Sequence, residues 1–355
     1  MAKKFKEITP RDITTTRTLL HEALPLTGTI VSGTYADGNI KNFSHGIFQS
    51  VYDYPYLSSS ANHIFDLAVG YSAKSNLSGA SSAQNSKKIN IYNQMAQVLV
   101  GHDVTGSILE FDQSGDLTDG GTKMREVVFV NFSRLLTKDE IKKGSFNFTV
   151  ITGGVPNDFS SKGAGDHSKT LQEVNATTTY KSNSPAGEYG ILYSEAAGTN
   201  KVGLLYYQAG IAVLTASVLR DATYVAAAQT GFGPPTTALD TTSVDAMFTG
   251  SNISSSCDGV RNRLKNCSFN NTTELNSTIY FCRTNFNEFN YSSNPTYLSS
   301  SQIRVKTRET DEPVSYITTV GLYNSENVLM AVAKLSEPLK KTPSNEFTLR
   351  VRLDY

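Results

Sequence analysis

The chain has 355 residues, with 32 basic and 32 acidic side chains and a formal net charge of zero. That balance excludes the basic stripe of an electrostatic nucleic-acid binder and the polybasic patch of a membrane-surface protein. Charged residues make up only 18% and Trp is absent, while Ser, Thr, Asn, Gly and Tyr abound, as in β-rich proteins that stay assembled.

The start, Met1 to Glu7, is basic but no apolar run follows it, so no secretory signal is predicted. No stretch approaches the roughly 18 apolar residues of a membrane span, and a soluble protein made without export is expected. Residues 1–30 form a polar arm in which Thr9 caps a short element opened by Pro10. The β-branched run Thr14 to Thr16 weakens any helix beyond it. Thr27 to Tyr35 alternates as a strand does, and residues 36–39 carry a turn signal. A strand follows over His63 to Tyr71, then a Ser/Ala/Asn/Gly loop as far as Ser86. Ile89 to Val100 reads as a helix, because Ile89, Tyr92, Ala96 and Leu99 fall near helical spacing.

Met124 to Phe132 is a Val- and Phe-rich strand. Leu136 to Lys143 reads as a short helix with Thr137 as N-cap, Glu140 at the capping-box position and Gly144 as its stop. Phe146 to Ile151 is the next strand, and 153–186 an exposed insertion loop. Three closely spaced strands occupy Glu188–Ser194, Lys201–Gln208 and Gly210–Val218, the pattern of an antiparallel sheet. A second insertion loop spans 219–250, and Asp258–Asn266 reads as a short helix. Strands resume at Ser277–Arg283, Gln302–Lys306, Val314–Tyr323, Val328–Leu335 and Phe347–Leu353. Asn324 to Asn327 turns a hairpin, Pro338 closes its second strand, and the last strand completes a three-stranded unit whose edge is open to a neighbouring subunit.

The expected fold is mainly β with a few short helices, an antiparallel sandwich or barrel-like core with long loops. It divides into the arm (1–30), a β/α region (31–123) and a main antiparallel domain (124–355).

The search for chemistry assigns no catalytic residue, cofactor site or metal ligand. His21, His45, His63, His102 and His167 show no ligand spacing, and there is no HExxH, GxSxG, Walker or dinucleotide-binding motif. Gly231 to Pro235 is a tight loop with no helix after it to bind phosphate. Asp112, Asp116 and Asp119 alternate as in a calcium loop, but Lys123 stands where the bidentate Glu belongs, so a solvated turn is expected. Cys257, Cys267 and Cys282 have neither disulfide nor zinc spacing and read as free thiols. The Asn-X-Ser/Thr sequons, among them Asn266, Asn270, Asn271 and Asn276, arise from the Asn/Ser/Thr-rich composition. The aromatics around 189–211 and 280–297 are core or interface residues, with a stacking platform for sugars or bases as the alternative.

The stretch 315–341, SYITTVGLYNSENVLMAVAKLSEPLKK, resembles a strand–turn–strand unit of tailed-phage tail proteins. The segments 131–146, 184–194, 203–215 and 270–283 are similar to uncharacterised virion structural proteins of marine contractile-tailed cyanophages (myoviruses). The likeness covers most of 120–355 and parts of the first third, at 62–71 and 88–101. It implies a non-enzymatic tail, baseplate or fibre-attachment subunit of the bacteriophage virion. Such a subunit assembles with other virion proteins as homo-oligomer and hetero-complex, without cofactor, nucleic acid or membrane. A head-decoration or neck protein, and a carbohydrate-binding adhesin or depolymerase, are the alternatives.

Overall fold

The computed structural model describes residues 5–25, 39–53, 57–58, 61–79, 82–116, 120–151, 168–194, 196–219, 248–249, 252–261, 264–292, 298–299, 302–303, 308 and 310–355. Its first half holds β1 (Ile13–Pro25), β2 (Ile40–Asn42), β3 (Gln49–Tyr52), β4 (His63–Tyr71), α1 (Ala83–Leu99), β5 (Glu126–Phe132), α2 (Arg134–Thr137), β6 (Glu140–Ile141) and β7 (Asn147–Ile151). Then come β8 (Ser168–Glu173), α3 (Ala176–Thr179), β9 (Lys181–Ser184), β10 (Gly187–Tyr193), β11 (Lys201–Tyr206), β12 (Ile211–Thr215) and α4 (Ile253–Arg261). The chain closes with β13 (Leu264–Thr284), β14 (Leu298–Ser299), β15 (Gln302–Ile303), β16 (Ser315–Tyr323), β17 (Leu329–Lys341) and β18 (Phe347–Asp354). The fold is mainly β, built on a large antiparallel sheet, sandwich-like and without a closed barrel. No helix among the described residues is long and apolar enough to cross a membrane.

The chain divides into a larger unit, Leu20–Thr273, and a smaller one, Met1–Leu19 with Glu274–Tyr355. In the larger unit the strand order is β13-β7-β8-β10-β11-β12-β5-β4-β3-β2. β10, β11 and β12 follow one another as a meander because Gly198 and Gly210 take φ of +71° and +67°, turn conformations open to glycine. β12 pairs with β5 (Val213↔Phe129) and β5 with β4 (Phe129↔Ala68).

Val127 to Val130 are buried in succession on β5, so both faces of the strand are covered. On one face lies α1, whose Tyr92 ring meets Phe111 at 5.4 Å; Phe111 in turn meets Phe129 at 5.8 Å. Gly70 of β4 lets the helix come this close, since a Cβ there would fall 2.8 Å from Lys88 O. On the other face Phe132 meets Phe65 at 6.1 Å, Phe146 at 5.8 Å and Phe269 at 5.1 Å. Phe269 belongs to β13, six strands away from β5 in the sheet order. The sheet therefore doubles back and packs against itself, the way two sheets share a core.

Several elements differ from the sequence reading. α1 starts at Ala83, where the Ser82 hydroxyl accepts from Asn85 N at 3.2 Å; its first turn is polar and gave no apolar period. The helix expected over Leu136–Lys143 is instead the single turn α2, stopped by Lys138 at φ +54°. Glu140 and Ile141 then pair with Thr272 and Asn271, a distant partner that outcompetes the local capping signal. Residues 168–184, read as loop, hold β8, α3 and β9. The helix expected at Asp258–Asn266 lies earlier, as α4, and Leu264 already opens the 21-residue β13.

Pro338 does not close the hairpin's second strand. Register jumps from Ile317↔Leu339 to Thr319↔Lys334, so residues 335–338 bulge opposite Thr318 and the strand resumes beyond them. Nor does the last strand extend the hairpin: β18 pairs with the Ser277–Thr284 end of β13, and β16 and β17 pair with each other. The expected strand at 27–35, residues 304–306 and most of the 219–250 loop lie outside the described residues.

Candidate assembly surface

The smaller unit is of domain size, yet among its described residues only two apolar side chains are buried, Ile279 and Val351, at 9% and 7% exposure. Its other buried groups are polar: Ser277, Thr278, Thr284, Ser315, Lys341 and Thr342. Every member of the main hydrophobic cluster belongs to the larger unit. A domain normally carries its own core, and the described residues of this one show almost none.

The β16–β17 hairpin shows where the apolar residues went. The turn is built by Asn324, whose Oδ1 accepts from Glu326 N at 3.0 Å and Val328 N at 2.8 Å, with Asn327 in the left-handed region at φ +62°. One row, Ile317, Val320, Leu322, Ala331, Ala333 and Leu335, is half-buried. Around the tip, Tyr323, Val328, Leu329, Met330 and Val332 stand exposed, Met330 at 68% and Val332 at 52%. Gly321 permits this arrangement, because a Cβ there would lie 2.9 Å from the Tyr323 ring and 3.1 Å from Leu329. The exposed Phe5 ring meets Tyr323 edge-on at 4.9 Å. With aromatic side chains spanning roughly 150–250 Å² each, these half-exposed groups together present on the order of 500 Å². A patch of that size matches the largest on a typical monomer, roughly 300–600 Å² and often functional, and a standard interface uses about 800 Å² per partner.

The hairpin base is held by polar bonds. Ser315 pairs with Lys341, the Ser315 hydroxyl donates to Phe289 O, and the buried Lys341 ammonium donates into the 285–290 loop. Among the described residues β17 has a single partner strand, and its other edge offers unpaired backbone groups there.

The residues weighed for chemistry do not converge. His21 Nδ1 lies 3.2 Å from the Thr272 hydroxyl, His45 stacks on Phe43, His63 Nε2 lies 2.8 Å from Asp66, and His102 sits in a bridge with Ile108; His167 lies outside the described residues. Among the described residues no group of three His, Cys, Asp or Glu is arranged to hold a metal. Asp112 is in a turn, but a buried one: its Oδ1 accepts from Ser114 N at 2.7 Å, and Lys123 Nζ lies 3.3 Å from Oδ2. The lysine at the position of the calcium-binding Glu thus supplies the loop's own cation. All three cysteines are free, and burial pushes their thiols up.

Tyr189, Tyr206 and Tyr207 are core residues rather than a stacking platform. Burial pushes the Tyr189 phenol up to about 12, and it donates to Asn183 Oδ1 at 2.7 Å. Tyr207 donates to Glu173, which also accepts from Gly144 N at 2.8 Å; burial holds this carboxyl above its ordinary range. Gly190 leaves the space for that pair, since a Cβ there would clash with both. In the smaller unit Phe286, Phe289 and Tyr291 are exposed. A polar cleft lined by Thr15, Thr16, Arg17, Asn276, Ser277 and Tyr355 holds about 190 Å³, below the roughly 300 Å³ at which ligand pockets begin. The exposed hairpin was visible in the sequence as a hairpin; its uncovered faces were not, because exposure depends on which strands fail to meet it.

No protein-family model matches the chain, and no curated protein and no solved structure matches it.

Proposed function

We propose that the protein is a non-enzymatic structural component of a tailed-bacteriophage virion, and that its smaller unit is the docking face. The observation that carries assembly is the contrast between an almost coreless unit of domain size and the apolar patch on its hairpin. Burying that patch against a neighbour would supply the apolar contact the unit lacks within the chain. The virion assignment rests on the resemblance of 315–341 and the other segments to phage structural proteins, and a tail or baseplate position follows from that resemblance alone.

The test uses the purified full chain. Light scattering on a sizing column should show stable oligomers, or complexes with other virion proteins, and Val332→Asp should dissociate them. A monodisperse monomer that binds no component of the particle would sink the proposal. Copy number and symmetry in the intact particle separate a tail position, sixfold or threefold, from a head lattice.

A further inference from the structure

Lys341 ends β17 with its side chain fully buried, a rare place for lysine. Its Nζ donates to Phe286 O at 3.2 Å, to Thr342 O at 2.8 Å and to Asn290 Oδ1 at 2.7 Å. Asn290 donates from Nδ2 back to Phe286 O at 2.8 Å. The carboxamide is therefore held at both ends, with its oxygen turned to the amine. A C=O bond of about 1.2 Å then sets Asn290 Cγ about 3–4 Å from Nζ, so a short swing of the nitrogen from the oxygen onto the carbonyl face would reach the roughly 3–3.5 Å of a near-attack arrangement. Burial lowers the lysine pKa, opposed by the fields of Glu288 and Glu346, so the ammonium that donates these three bonds gives up a proton more readily than an exposed lysine does.

We propose that Lys341 and Asn290 join in an intramolecular isopeptide bond, stapling the hairpin base to the 285–290 loop. The ammonium first releases one proton to solvent; the neutral Nζ then attacks Cγ, and the new Nζ–Cγ bond replaces Cγ–Nδ2. One proton passes from Nζ to Nδ2, which leaves as ammonia. The product is a secondary amide, and nothing is oxidised or reduced. Such a staple gives a core-poor unit what small scaffolds obtain from a disulfide, and it does not depend on what the hairpin docks to.

Intact-mass spectrometry of the purified full chain, followed by tryptic mapping, tests it without any variant. The expected result is a mass lower than the sequence by one ammonia, and a branched peptide joining the Lys341 and Asn290 fragments. Recovery of the two fragments separately, with Lys341 cleaved by trypsin and Asn290 still an amide, overturns the proposal. Asn290→Ala should restore the full mass. A loss of ammonia that persists in that variant arises elsewhere, and overturns it equally.

Discussion

The larger unit and the smaller one are both β-rich, but they spend their apolar residues in opposite ways. In the first, strands buried on both faces enclose Phe129 and Phe132 between a helix and the returning sheet. In the second, Tyr323, Met330 and Val332 face outward and polar groups fill the interior. Chemically similar strands thus serve a core in one place and a surface in the other, and the difference lies in what covers them rather than in their own pattern.

The comparison breaks most visibly at Phe132. Phe132→Ala should destabilise the larger unit by about 3–5 kcal/mol, read from urea unfolding followed by circular dichroism, since the chain has no Trp. Gly70→Ala should cost about 1–3 kcal/mol, because its Cβ would meet backbone atoms, 2.8 Å from Lys88 O and 3.0 Å from Tyr92 N; the same denaturation series checks it. Tyr207→Phe removes a bond to a buried carboxyl and should cost about 1–3 kcal/mol.

Glu173 adds a pH dependence of known sign. Its pKa is raised in the folded chain above the ordinary 4.5, so the folded state holds a proton that the unfolded state has released. Stability from this group is full below the ordinary value and is lost as pH rises through the raised one. Glu173→Gln should flatten that decline, and unfolding midpoints measured across the window, variant against parent, would show it.

The smallest effect sharpens the contrast most. Val332→Ser should leave the unfolding free energy of the isolated chain within about 0.5 kcal/mol while weakening self-association or partner binding in sedimentation. A large loss of stability would mean that the hairpin is covered within its own chain.

Much of the larger unit was legible in the sequence. β4 falls on His63–Tyr71 as read, and the three strands between Glu188 and Val218 are separated by their own turn residues. What could not be read depended on distant partners. Glu140 carries a capping signature yet pairs with Thr272, and Pro338 looks like a stop until a bulge removes the need for its N–H. At the candidate surface the turn at Asn324 was readable, whereas the outward aim of Val332 and the burial of Lys341 are tertiary facts with no local signal.

The bulge at 335–338 has one more consequence. A strand added along the open edge of β17 would find regular backbone only from Ala331 to Lys334, between the register shift at Met330 and the bulge with the missing N–H of Pro338. The regular edge is four residues long. So short an edge would leave room for one brief strand in a fixed register, and not for the endless stacking of a fibre.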